Sequence, residues 1–149
     1  MFVLAGDGLN AANATLAAAL RQCGLERHVR LLGETAFPQA LLSACDLFCL
    51  SSAWGEGFPN SVGEAMACEV PCVVTRVGDA PDMVDGTGLV VEAGDREALA
   101  QAILQLIRSG RAGRAALGEQ ARASIAERFA LPRVASRYVE MFEEAVSGS

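Results

Sequence analysis

Two carboxylates in one short stretch could do chemistry together. They are Glu56 and Glu64, separated by seven residues in Ser51-Ser52-Ala53-Trp54-Gly55-Glu56-Gly57-Phe58-Pro59-Asn60-Ser61-Val62-Gly63-Glu64-Ala65-Met66-Ala67. An apolar strand ends in hydroxyl residues, and a glycine-bearing loop follows with Glu56 at its centre. A helix then opens with small residues, with Glu64 expected in its first turn. A helix N-terminus offers unpaired N–H groups and the positive end of a dipole, which suits a diphosphate. Gly57 and Gly63 would let backbone and ligand come close. A carboxylate such as Glu64 can accept two hydrogen bonds from ribose hydroxyls. Two plainer readings fit the same spacing. Ser61-x-x-Glu64 is a capping box, in which Glu64 only bonds the helix start, and Glu56 is a solvated loop acid.

A second glycine loop, Gly6-Asp7-Gly8-Leu9-Asn10-Ala11, fits the dinucleotide pattern G-x-G-x-x-A after a strand. Glu34 would then be the ribose-binding acid. The plain alternative is a tight strand-to-helix turn. Arg76 is the only basic residue near these loops, and a solvated arginine accounts for it. The five cysteines, Cys23, Cys45, Cys49, Cys68 and Cys72, are odd in number and sit in apolar surroundings. They read as reduced thiols acting as small hydrophobes rather than as a disulfide framework or a zinc site.

The elements that must position these loops alternate. Apolar runs at 2–5, 29–32, 46–50, 71–75 and 88–91 are separated by helical patterns at 11–22, 38–44, 61–67 and 81–84. Continuous apolar strands between helices predict a parallel sheet covered on both faces. The fold class is α/β, an open Rossmann-like sheet whose ligands sit at the carboxyl ends of the strands. After residue 92 the pattern is helical over 95–146. Asp95 is the N-cap of a helix with face Leu99, Ile103, Leu106 and Ile107, and Gly110 lies past its end. Leu117, Ala121, Ile125 and Phe129 mark a second face. Val134, Tyr138, Met141, Phe142 and Ala145 mark a third. The whole, 1–149, reads as one domain.

Composition sets the outer limits. Apolar residues are 52% and charged residues 20%, which supports a packed core. A net charge of −6 argues against a nucleic-acid-coating protein, and the 12 basic residues are all arginine. Met1 to Asp7 lack the basic start of a signal peptide, and the longest apolar stretch, 40–50, is interrupted by Asp46. A cytoplasmic protein is expected.

Glu56-Gly57-Phe58-Pro59-Asn60 followed by Glu64-Ala65-Met66-Ala67 resembles the signature of the family four retaining glycosyltransferases, which have the GT-B fold. Further pieces fall in the family's order: Gly6-Asp7-Gly8, Leu32-Gly33, Asp46, Pro71, Val77-Gly78, Gly86-Thr87-Gly88-Leu89-Val90 and Glu127-Arg128-Phe129. The resemblance covers nearly the whole chain and implies the C-terminal, donor-binding half of that fold. It implies transfer of a sugar from a UDP- or GDP-linked donor with retention of configuration, without an essential metal or other cofactor. Glu56 would lie beside the donor sugar, as the catalytic residue, and Glu64 would hold the ribose. Gly57, Phe58, Pro59, Asn60 and Ser61 would meet the sugar and phosphates, while Gly6, Asp7, Gly8 and Gly33 would lie near the diphosphate and base.

The sequence departs from the family pattern at Glu69, where Gly is common, and at Asp82, where Glu is usual. The family's first strand and helix, with their basic diphosphate ligands, are not matched, nor is the N-terminal domain that would bind a glycan or lipid-linked acceptor. A chain of this kind is expected to be inactive alone. The strand at 2–5 would lack its usual neighbour, and Tyr138, Met141 and Phe142 their usual cover, so a homodimer is expected. The alternative functions are an NAD-binding module of an oxidoreductase and a non-catalytic α/β domain.

Overall fold

The computed structural model describes residues 1–147. The chain divides into two compact units, Met1–Pro38 and Gln39 onward. In the first unit, β1 (Phe2–Ala5) and β2 (Val29–Gly33) pair in parallel, with Phe2 opposite Val29 and Leu4 opposite Leu31. The helix between them, α1 (Ala14–Gln22), starts three residues later than the glycine pattern suggests. The reason is Asn13. Its side chain accepts from Leu16 N at 3.0 Å and donates to Gly8 O at 2.9 Å, so it caps the helix and ties off the loop. Asn10 adds a local turn by accepting from Ala12 N. Among the described residues β1 has one strand partner, β2.

The second unit begins after the boundary crossed by α2 (Pro38–Ser43). Its sheet runs β3 (Phe48–Leu50), β4 (Cys72–Thr75), β5 (Gly88–Val91), all parallel. The helices between them are α3 (Asn60–Ala67) and the single turn α4 (Ala80–Met83). Three helices follow: α5 (Arg96–Arg108), α6 (Gly110–Phe129) and α7 (Leu131–Ser147). Strands therefore form a two-stranded and a three-stranded parallel ladder, and the expected α/β class holds.

The central strand β4 is buried along its whole length, which explains its unbroken apolar run. Successive side chains point to opposite faces. Cys72 and Val74 join a core with Val62, Met66, Met83, Ala121 and Ile125 from α3, α4 and α6. Val73 joins Val91, Ala102 and Leu106 on the α5 side. Asp95 caps α5 as expected, accepting from Ala98 N at 2.9 Å. Gly110 turns left-handed at φ 71 and leads directly into α6. The face expected on α7 is present but lies open: Tyr138, Met141 and Phe142 are exposed and no residue of α7 is buried.

Where the family commonly has glycine, Glu69 adopts φ 61, the left-handed conformation that glycine would take. Its carboxylate pairs with Arg122 on α6 at 3.0 Å. Its carbonyl lies against Gly118 of α6, where a β-carbon would overlap that oxygen and sit 2.7 Å from the carbonyl carbon. The glycine is therefore on the partner helix: Gly118 permits the close packing of α6 over the end of α3.

All five cysteines are free thiols, and Cys72 is wholly buried. Burial, and after it the neighbouring Cys49, pushes the Cys72 thiol from near 9 up to about 12. Between those values the unfolded chain loses a proton that the folded chain keeps, so stability must fall as pH rises. The slope is about 1.4 kcal/mol per pH unit for one such group. Urea unfolding at pH 8 and pH 10.5 should show the fall, and Cys72→Val should reduce it by about that share. An equal pH slope in the variant would contradict the assignment.

Candidate donor-binding site

The sequence-predicted residues fall in both units. In the first, Gly6 N donates to Gly33 O at 2.8 Å, and Gly33 N donates to Leu9 O at 2.7 Å. Gly6, Asp7, Gly8 and Gly33 are thus brought together at the carboxyl ends of β1 and β2. The dinucleotide pattern fails in one respect: Ala11 does not open the helix, and residues 11–13 intervene. Glu34 and Asp7 are exposed.

In the second unit, residues 51–59 leave the end of β3 and lead into α3. Glu56 is half-buried, and Ser52 Oγ donates to its Oε1 at 2.5 Å. Glu56 is therefore held by a hydroxyl rather than free in solvent, which departs from the plain loop-acid reading. Trp54 stands out at 83% exposed, Phe58 is exposed, and Pro59 is buried. The Phe58 ring meets Phe129 at the end of α6, with centroids 5.1 Å apart.

The capping-box reading of Glu64 does not hold. The N-cap of α3 is Pro59, no side chain caps the helix, and Glu64 lies in the second turn because the helix starts at Asn60. Glu64 is exposed, and among the described residues its carboxylate makes no hydrogen bond or ion pair. Proline has no N–H to donate to the Glu64 carboxylate, so the box could not form here. The amides of the first turn, around Asn60 and Ser61, have no partner within the helix. The Cβ direction of Gly63 points toward the core. A β-carbon there would lie 3.4 Å from Met83 Cε, in ordinary contact. Arg76 forms an ion pair with Glu92 at 2.7 Å, both side chains being exposed, and is already engaged.

Three contributors to this loop were not read from the sequence. Thr75, at the carboxyl end of β4, donates to Ser52 O at 2.6 Å and lies 3.3 Å from Leu50 O. Asp79 N donates to Gly57 O at 2.9 Å. Gly78, at φ 54, lies so close to the Glu56 and Gly57 carbonyls that a β-carbon would overlap both oxygens. The signal available was the order of strand ends: in a parallel sheet adjacent strands deliver their loops to the same edge.

Residues 1–109 match the sequence model described as glycosyl transferases group 1. The chain belongs to this family. It is 33% identical over 146 residues to the N-acetyl-alpha-D-glucosaminyl L-malate synthase of Bacillus anthracis, covering 97% of this chain and 37% of that protein. It is 36% identical over 134 residues to the phosphatidyl-myo-inositol mannosyltransferase of Mycobacterium leprae, covering 85% of this chain and 34% of that one. Among solved structures, HepE of Anabaena in complex with UDP superposes with a TM-score of 0.85 at 28% identity, covering 95% of this chain and 40% of HepE. A Rickettsia africae glycosyltransferase, at 22% identity and TM-score 0.86, shares the fold. The chain thus spans little more than a third of these relatives. The family is one of enzymes, so the oxidoreductase and non-catalytic alternatives are not favoured. Among the described residues, no helix is long and apolar enough to cross a membrane.

Proposed function

We propose that this chain binds a nucleotide-diphosphate sugar, UDP- or GDP-linked, and serves transfer of the sugar to an acceptor with retention of configuration. The observation that carries the reading is the pair of carboxylates on either side of an uncapped helix start: Glu56 held by Ser52, and Glu64 exposed and, among the described residues, without a partner. The solved complexes of HepE with UDP and with UDP-glucose support it. Glu64 holds the ribose hydroxyls. The N–H groups of Phe58, Asn60 and Ser61 meet the diphosphate, which leaves with the electron pair of the sugar–phosphate bond and takes up the acceptor hydroxyl's proton as the acceptor oxygen bonds to the anomeric carbon. Partial positive charge at a helix N-terminus stabilises that leaving group. In the first unit, Gly6, Asp7, Gly8 and Gly33 are assigned to recognition of the diphosphate and base. No essential metal takes part. The acceptor is a glycan or lipid-linked sugar. Transfer needs donor and acceptor held together, so this chain, which spans 37% of its Bacillus relative, does not transfer sugar alone. The open apolar side chains of α7 support self-association of the isolated chain.

Calorimetry with UDP tests the site. Glu64→Gln should weaken binding by about 1.5–3 kcal/mol, the worth of a hydrogen bond to a charged group. Unchanged affinity would remove Glu64 from the site, and no UDP binding by the unaltered chain would sink the reading for this chain.

A further inference from the structure

The loop that carries Glu56 is attached to the rest of its unit at few places, and most of them converge on one segment. Thr75 is 3% exposed and donates its hydroxyl to Ser52 O at 2.6 Å, with Leu50 O 3.3 Å away. Its hydroxyl is placed where β4 ends, one strand over from the loop it holds. Three residues on, the chain turns at Gly78, and the next amide, Asp79 N, reaches Gly57 O at 2.9 Å. Ser52 and Gly57 bracket Glu56, and Ser52 also holds its carboxylate. The position of Glu56 is thus fixed from both sides by the segment 75–79.

Gly78 makes the arrangement stringent. Its φ of 54 is left-handed, and a β-carbon would overlap the Glu56 and Gly57 oxygens and lie 2.8 Å from the Glu56 carbonyl carbon. Those are backbone atoms, which cannot swing aside as a side chain could. Any other residue must push the loop outward or lose the Asp79 bond.

We propose that Thr75 and Gly78 are positioning residues: the β4–α4 junction sets the height and orientation of the Glu56 loop, and with it the fit of the donor sugar. The part concerning the sugar rests on the function proposed above; the bracing of the loop does not. Thr75→Val keeps shape and removes the hydroxyl, and Thr75→Ser keeps the hydroxyl. Gly78→Ala adds the forbidden carbon.

The test uses the 149-residue chain. Hydrogen–deuterium exchange followed by mass spectrometry should show peptides covering 77–80, which carry the Asp79 amide bonded to Gly57 O, exchanging roughly 10-fold faster in Thr75→Val, with α5 peptides unchanged, the scale of a lost hydrogen bond. Thr75→Ser should restore protection. Unchanged exchange at the Asp79 amide, or acceleration spread evenly through the unit, would overturn the bracing. Should Gly78→Ala fail to fold, the Thr75 pair still decides. In the same variants, affinity for UDP-glucose should fall roughly 10-fold relative to affinity for UDP. A loosened loop with an unchanged ratio would overturn the positioning role. If the unaltered chain binds neither nucleotide, the proposed function fails for this chain while the exchange result still decides the brace.

Discussion

Gly118→Ala should destabilise the protein by about 3 kcal/mol or more, the upper range for forcing extra atoms into a packed site. Propensity alone points the other way. Alanine is better than glycine inside a helix by about 1 kcal/mol, and Gly118 lies well within the twenty residues of α6. Close approach decides the sign. The added carbon would overlap the Glu69 carbonyl oxygen, with the carbonyl carbon at 2.7 Å and Glu69 Cα at 3.3 Å. All three are backbone atoms, and Glu69 is already committed to the left-handed region at φ 61. The only relief is to slide α6 off α3, which would open the core at Ala121 and Ile125, two residues buried in that cluster. Thermal unfolding followed by circular dichroism checks this. A fall of about 10 °C is expected for that loss in a domain of this size. A melting temperature within about 2 °C of the unaltered chain would show that the helices part at little cost.

The second large effect is on the reaction. In an enzyme that includes this chain and an acceptor-binding domain, Glu56→Ala should lower turnover about 10²–10³-fold, the scale of removing one charge-stabilising group. UDP affinity should stay within about twofold. The argument is positional: Glu56 is fixed to Ser52 at 2.5 Å on the loop before α3, while Glu64 lies in the helix itself. An interaction made only in the transition state lowers turnover without weakening nucleotide binding. Steady-state kinetics with calorimetry on the same variant separates the two. Equal losses of turnover and UDP affinity would move Glu56 to the nucleotide.

Much of this architecture could be read from residue order. Strands on both-faced burial announce themselves as unbroken apolar runs, and β4 is the clear case. Asp95 declared the start of α5 because capping is a local event. The misreadings have local causes too. Helix α1 starts at Ala14 because Asn13 caps it, a local signal that outweighs the glycine pattern before it. The start of α3 moved because a serine followed by Glu64 imitates a capping box, although Pro59 makes a good boundary residue. What could not be read was contact across the sheet edge. Nothing in the order of residues says that Thr75 reaches Ser52, or that Gly118 exists for the carbonyl of Glu69. Such pairings depend on where separate strands and helices come to rest. The departure at Glu69 shows the limit well: a family glycine is missing, yet the backbone keeps the glycine conformation.

The placement of two side chains has an optical consequence. The protein has one tryptophan and one tyrosine. Trp54 is 83% exposed two residues before Glu56, and Tyr138 lies open on α7. No strong ultraviolet chromophore is therefore enclosed by the core. Intrinsic emission would pass over the cooperative melting of β4 and its helices almost unnoticed. The same emission would answer to whatever approaches the Glu56 loop, so the chain carries a built-in dye at its candidate site and none where it folds.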